Sequence, residues 1–96
     1  MGRVMRAFRL RRDEIAYSDL GEEIVILDLR SSTYFSVRRT GAHLVNALMN
    51  GASTDVLVAG MCDRYDVTED VARADVQTFL TVLEQRDLLE EAGAGE

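Results

Sequence analysis

The segment Glu23–Leu29 (EIVILDL) constrains the fold more than any other part of the chain. It is rich in β-branched residues, which favour extended backbone, and its apolar side chains fall on both faces of a strand. Because a strand of this kind is stable only when both faces are at least partly covered, other elements must pack on it. The segment therefore predicts a strand inside a layered domain.

Two further strand patterns flank this segment. Glu14–Ser18 precedes it, and the intervening Asp19–Glu22 has the residue types of a turn. Thr33–Val37 (TYFSV) follows after a short polar connection, Arg30–Ser32. Short links between consecutive strands predict a three-stranded antiparallel meander, in which the first and third strands are the edges.

The third predicted strand alternates in character. Thr33, Phe35 and Val37 fall on one face, whereas Tyr34 and Ser36 fall on the other. An edge strand carries unpaired N–H and C=O groups, and proteins usually protect such edges. The only protection in this sequence comes from two arginines directly after the strand, at positions 38 and 39.

The second half of the sequence has helical periodicity in three segments. Thr40 is the predicted N-cap of the first helix, and Gly51 supplies its left-handed C-terminal residue. Ser53 or Thr54 caps the second helix, and Thr68 caps the third. The third helix has a wide apolar stripe formed by Val71, Ala72, Val76, Phe79, Leu80 and Leu83.

These elements predict an α+β fold that is winged-helix-like, with a three-stranded antiparallel sheet followed by three helices. We expect one peptide-recognition domain over residues 14–89, a solvated basic arm over residues 1–13 and a disordered acidic tail over residues 90–96. Residues 1–12 hold five of the eleven basic residues and no acid, although the net charge of the chain is −6. An acidic body of this kind repels nucleic acid.

The sequence contains no recognisable catalytic or metal-binding pattern. His43 has no Cys or His three or four residues away, and Cys62 is the only cysteine, adjacent to Asp63. Metal sites need clustered ligands and a catalytic thiol needs positive surroundings, so both residues have better structural interpretations. The sequence therefore predicts no enzyme activity, no metal and no cofactor.

No apolar run reaches the length of about 18 residues that a membrane span needs. The N-terminal stretch also lacks the uninterrupted apolar region of a signal peptide, because arginines divide it. We therefore expect a cytoplasmic protein without membrane association.

Three functions remain open on the residues alone. An exposed edge strand beside a helix with surplus apolar surface can accept a peptide as an added strand. The same edge can instead be covered in a homodimer that serves as a scaffold. A winged-helix DNA-binding regulator is the third possibility, but a recognition helix should offer cationic and amide side chains along one face. The third helix offers Arg73, Gln77 and Arg86 among Glu69, Asp70, Asp75 and Glu84.

The runs ILDLRSSTYFSV, TGAHLVNALMNGAS and DVQTFLTVLEQRDLL, in this order, resemble PqqD-like proteins. These proteins are the peptide-recognition elements of pathways that modify ribosomally made peptides. The sequence is most similar to the stand-alone type found in lasso-peptide biosynthesis, over residues 14–89. The features that carry the resemblance are Leu27-Asp28 before a turn, Tyr34-Phe35, Thr40-Gly41, Asn50-Gly51, Asp75-Val76 and Leu88-Leu89.

The resemblance implies a non-catalytic domain that binds the leader segment of a precursor peptide. It implies that the leader adds to the third strand in a cleft against the third helix, and that a leader peptidase and a cyclase are partners. It implies no metal or cofactor. The peptide-binding residues that it assigns are Tyr34, Phe35, Ser36, Val37 and Arg38 on the strand, with Asp75, Val76, Phe79, Leu80 and Leu83 on the helix.

The sequence departs from the family pattern at three positions. Ser32 and Asp87 stand where the family tends to have Gly, and Arg38 stands where it tends to have Asn. Asp87 can still adopt a left-handed conformation, at a cost that Gly does not have. Arg38 suits an acidic leader.

Overall fold

Two small antiparallel sheets and three helices make up the structure, a computed structural model that describes residues 7–92. The elements in chain order are β1 (Ala7–Leu10), β2 (Ile15–Asp19), β3 (Glu23–Asp28), β4 (Thr33–Arg38), α1 (Thr40–Met49), β5 (Ala52–Ser53), α2 (Thr54–Arg64), α3 (Glu69–Gln85) and β6 (Leu89–Glu91). The predicted α+β class is confirmed. No helix within the described range is long and apolar enough to cross a membrane.

The predicted meander is confirmed, with strand order β2-β3-β4. In this sheet Ile24 lies opposite Val37, and Ile26 lies opposite Phe35. Directly opposed residues point to the same face, so these four side chains share the inner face of the sheet. Ile24 and Ile26 are fully buried against the helices. The apolar pattern of Glu23–Leu29 therefore reflects a strand at the centre of its sheet.

Helix starts follow the predictions at two of three positions. The Ser53 and Thr68 hydroxyls accept hydrogen bonds from backbone N–H groups at 3.2 Å and 3.3 Å, and so cap α2 and α3. The prediction that Thr40 caps α1 is wrong, because Thr40 is already the first helical residue. Arg39 occupies the cap position with φ of 56° and makes no side-chain capping bond.

The end of α3 has the geometry of a Schellman motif. The N–H of Asp87 donates to the carbonyl of Glu84 at 3.0 Å, and the N–H of Leu88 donates to the carbonyl of Leu83 at 2.9 Å. Asp87 has φ of 59° and thus adopts the left-handed conformation that Asp can take at a cost. Leu88 is buried as a result, and the chain turns back into β6.

The second sheet was not predicted. Its strand order is β5-β1-β6, and β1 pairs antiparallel with both neighbours. Residues 7–10 belong to the segment that we expected to be a solvated arm, and residues 90 and 91 belong to the expected tail. They form strands because Leu10 is buried, Phe8 packs on the core, and Arg9 pairs with Glu90 at 2.8 Å. The remaining parts of the predicted arm and tail, residues 1–6 and 93–96, lie outside the described residues.

A buried arginine joins the two sheets to the end of α3. Arg11 is 7% exposed, and its guanidinium pairs with the Asp28 carboxylate at 3.0 Å. It also donates to the carbonyl of Asp87 at 2.8 Å and to the carbonyl of Asp13. Partial burial raises the pKa of Asp28, but hydrogen bonds from Arg11 and from the N–H of Arg30 outweigh this and lower the pKa below its usual 3.8.

We predict that Arg11→Met lowers the midpoint of urea denaturation at neutral pH, because three acceptors lose their donor. A depressed Asp28 pKa stabilises the fold above pH 3.8, and this contribution disappears as pH falls through the folded-state pKa. The difference in urea midpoint between wild type and Arg11→Met should therefore become smaller in acid. Arg12→Met, at an exposed arginine, is the matched control. Equal midpoints for the two variants would contradict the role of Arg11.

Candidate functional site

A cleft runs between the free edge of β4 and one flank of α3. Two cavities lie along it, and Phe35 lines both. The apolar cavity, of about 400 Å³, is lined by Phe35, Thr40, Gly41, Leu44, Met61, Asp75, Thr78, Phe79 and Val82. The mixed cavity, of about 340 Å³, is lined by Ile26, Asp28, Arg30, Ser31, Thr33, Tyr34, Phe35, Arg86, Asp87 and Leu88.

The hydrogen-bond register fixes which backbone groups of β4 face the cleft edge. The N–H of Arg39 donates to the carbonyl of Glu22 at 3.0 Å, so residue 39 directs its backbone groups toward β3. Successive residues of a strand direct these groups to opposite sides, so Phe35 and Val37 also bond to β3. The N–H and C=O groups of residues 34, 36 and 38 therefore point to the free edge, where no other strand of residues 7–92 pairs with β4.

Side chains of β4 divide between the two faces of the sheet. Phe35 and Val37 lie on the inner face, where Val37 is buried and Phe35 is half-buried. Tyr34 is 70% exposed on the outer face, and Ser36 and Arg38 are exposed on the same face. The expected site residues of β4 thus separate into two groups. Phe35 and Val37 contribute side chains to the cleft region, whereas the other three contribute backbone groups.

The expected residues of α3 also divide into two groups. Asp75 and Phe79 line the apolar cavity. Val76 and Leu83 have no exposed surface, and Leu80 is 9% exposed, so these three belong to the core and not to the cleft wall.

Three residues that line the cleft on this flank are not among those expected from the sequence, namely Thr78, Val82 and Arg86. They could have been found from helical spacing, because they lie at intervals of three or four residues on the same side as Asp75 and Phe79.

Gly41 closes the cleft where β4 meets α1. A Cβ atom at this position would lie 3.1 Å from Val37 Cβ and 3.6 Å from Phe79 Cε1. The backbone of α1 therefore approaches β4 more closely than a larger residue would allow. This contact sets the end of the apolar cavity.

Arg86 lies at the junction of the two cavities. Its guanidinium carbon is 4.6 Å from the centroid of the Phe35 ring, which is a cation–π distance. Charges in the mixed cavity are otherwise paired, because Arg30 pairs with Asp87 at 3.3 Å and Asp28 pairs with Arg11.

The two candidate chemical residues of the sequence lie away from the cleft. The His43 ring makes an edge-on contact with Tyr65, with centroids 6.1 Å apart. Burial, and then the charge of Arg64, lower the pKa of His43. Cys62 is half-buried and free. Within residues 7–92, no three His, Cys, Asp or Glu side chains group closely enough to hold a metal ion.

Residues 23–89 match the family described as coenzyme PQQ synthesis protein D (PqqD). The chain belongs to the PqqD family. The matched range contains β3, β4 and all three helices, and therefore both walls of the cleft. The resemblance inferred from the sequence is confirmed. Ser32 and Asp87, at which the resemblance led us to expect Gly, both have positive φ, at 58° and 59°.

Two solved structures are similar to this PqqD-family chain over most of its length. TbiB1, in complex with the TbiA(beta) leader peptide, is 27% identical with a TM-score of 0.80, and the match covers 85% of this chain and 94% of TbiB1. A lasso peptide synthetase B1 complexed with the leader peptide is 29% identical with a TM-score of 0.77, over 86% and 96% of the two chains. No protein with a curated description matches significantly.

Substitutions on α3 should distinguish residues that belong to the core from residues that line the cleft. Leu83→Ala should lower the free energy of unfolding by about 2–5 kcal/mol, because it leaves a cavity in the core. Phe79→Ala should lower the free energy of unfolding by less than Leu83→Ala does, because part of the Phe79 ring faces the cleft. A fully buried phenylalanine would instead lose roughly 3–5 kcal/mol. Chemical denaturation measures both. A larger loss for Phe79→Ala would place this ring in the core.

Proposed function

We propose that this chain binds the leader segment of a ribosomally made precursor peptide as an added strand on β4, without catalysis of its own. The observation that carries the proposal is the free edge of β4, where three successive outward-facing N–H and C=O pairs lie beside the wall that α3 provides. Main-chain bonds of this kind give affinity, while pockets for alternate side chains give specificity. Both similar structures contain leader peptides.

The geometry of β4 defines how such a peptide would lie. In an antiparallel pairing, guest residues opposite Phe35 and Val37 share the inner face of the sheet with them. Their side chains would enter the cleft between β4 and α3. Guest residues opposite Tyr34, Ser36 and Arg38 would exchange the backbone hydrogen bonds and direct their side chains to the outer face.

Partner enzymes belong to the same proposal. A bound leader presents the rest of the precursor to other proteins, and we propose a leader peptidase and a cyclase of a lasso-peptide pathway. The support for this pathway is the similarity to a lasso peptide synthetase B1. The protein would act as an adaptor, which agrees with a cleft built from an edge strand and a helix flank.

The DNA-binding alternative has little support in the charges of α3. Arg73 is engaged by two carboxylates, those of Asp55 at 3.1 Å and Glu69 at 3.2 Å. A neutralised arginine offers little attraction to a phosphate backbone. The homodimer alternative uses the same edge of β4, so a second copy would compete with the leader for it.

We predict that Ser36→Pro weakens peptide binding. The proline removes one N–H that faces the free edge, and it removes no bond to β3, so the variant should fold. Loss of one backbone hydrogen bond alone corresponds to roughly 2- to 10-fold weaker binding, and displacement of the guest by the ring adds to this. The measurement is fluorescence polarisation with short peptides selected on the wild-type protein from a random display library.

Two controls make the test specific. Ser36→Ala keeps the N–H and should bind like wild type. Tyr17→Pro removes an outward N–H from β2, the opposite edge of the same sheet, and should also leave binding unchanged. Circular dichroism confirms folding of each variant. Equal affinity of wild type and folded Ser36→Pro would show that the guest does not pair with β4, and failure to select any peptide would contradict the proposed function.

A further inference from the structure

Arg86 differs from Arg11 and Arg30, the two other arginines around the mixed cavity, because no carboxylate neutralises it. Arg11 and Arg30 both form ion pairs, with Asp28 and with Asp87 respectively. Across residues 7–92, the Arg86 side chain has no hydrogen bond or ion pair, and its guanidinium lies over the ring of Phe35. It is an exposed cation that lines the mixed cavity, where the other charged side chains are paired.

The contact with the Phe35 ring favours one position of the guanidinium without using its donors. A guanidinium that lies over an aromatic ring still has its N–H groups in the guanidinium plane, directed past the ring. A planar fork of donors held in this way suits a carboxylate, which accepts two parallel hydrogen bonds. The preference of Arg86 for this position lowers the entropy cost of binding such a group.

The register of β4 places one guest side chain at this fork. In the proposed pairing, the guest residue opposite Phe35 points to the inner face of the sheet, and Arg86 covers Phe35 on that face. Two carboxylates of the mixed cavity, Asp28 and Asp87, are already paired, so a further carboxylate meets little uncompensated negative charge.

The opposite end of the cleft has the opposite charge. Asp75 is exposed, lines the apolar cavity and forms no ion pair in the described part of the chain. It lies about 16 Å from Arg86 along α3, at about 1.5 Å per residue. This distance corresponds to about four or five residues of an extended guest. An antiparallel guest has its N-terminal part near Asp75 and its C-terminal part near Arg86, because α3 and such a guest run in the same direction.

We infer that Arg86 is a specificity-determining residue, which selects a guest with Asp or Glu at the position opposite Phe35, C-terminal to the apolar side chain that enters the apolar cavity. Asp75 disfavours an acid at the other end of the guest, so the order of charges fixes the direction of the bound strand. This inference rests on the proposed function and names a chemical property of the peptide that the cleft recognises.

The test begins with the random peptide display library, selected separately on wild type and on Arg86→Gln. Wild type should enrich an acidic residue two positions after a large apolar residue, and Arg86→Gln should not. The matched control is Arg73→Gln, which removes the same charge from the same helix at an arginine outside the cleft. It should retain the wild-type preference.

The best wild-type peptide then gives the affinity measurement. Replacing its acid by the corresponding amide should weaken binding to wild type by about 2- to 5-fold, and less at high salt. The same replacement should leave binding to Arg86→Gln unchanged. Enriched peptides without an acidic preference, or an acid-to-amide effect that persists in Arg86→Gln, would overturn the role of Arg86 while the proposed function stands. If no peptide is enriched on wild type, both the proposed function and this inference are overturned.

Discussion

The ion pair between Arg11 and Asp28 determines how the two walls of the cleft stand relative to one another. Asp28 ends β3 and lies opposite Thr33, the first residue of β4. The same guanidinium donates to the carbonyl of Asp87, directly after α3 and Arg86. A buried charge is costly unless it is fully hydrogen-bonded, and Arg11 reaches this state only when the end of β3 and the end of α3 are both in place. The network therefore fixes the relative position of the two cleft walls when the protein folds.

The strand β4 carries two roles that most edge strands do not combine. Its inner side chains belong to the core, and Val37 contacts the start of α1 through the close approach at Gly41. Within the described range, its outward-facing backbone groups have no partner strand, and such an edge is open to unwanted strand pairing. A rigid edge costs little conformational entropy when a guest strand is added, because the host strand is already ordered. Core packing thus keeps β4 ordered in the free protein, so that its free edge can bind a guest strand at a low entropy cost.

Local patterns were sufficient for much of the fold. The apolar run Glu23–Leu29 predicted the central strand of the meander, and the hydroxyl residues Ser53 and Thr68 predicted two helix starts. These features depend on neighbours within a few residues. In contrast, β1 and β6 are short and contain the charged residues Arg9 and Glu90, which in the sequence are typical of solvent-exposed segments. The two residues pair with each other across 81 positions of the sequence, and this pairing is visible only in the folded protein. The Arg11 network is long-range in the same way.

The cleft was predictable in its location but not in its detail. Periodicity identified the apolar stripe of α3, but a stripe does not reveal which flank meets the core. Val76 and Leu83 were therefore assigned to the cleft although they are buried, and Val82 and Arg86 were not assigned. The family resemblance supplied the third strand and the third helix as the two walls. The side chains that line these walls follow from packing in three dimensions.

The most direct test of strand addition is amide hydrogen exchange of the protein, resolved by residue with NMR, with and without a selected peptide. Strand pairing on β4 predicts new protection of the N–H groups of Tyr34, Ser36 and Arg38. The N–H groups of Phe35 and Val37, already bonded to β3, should change little. Unchanged exchange at the three outward-facing positions of β4, or new protection along β2 instead, would contradict the central claim.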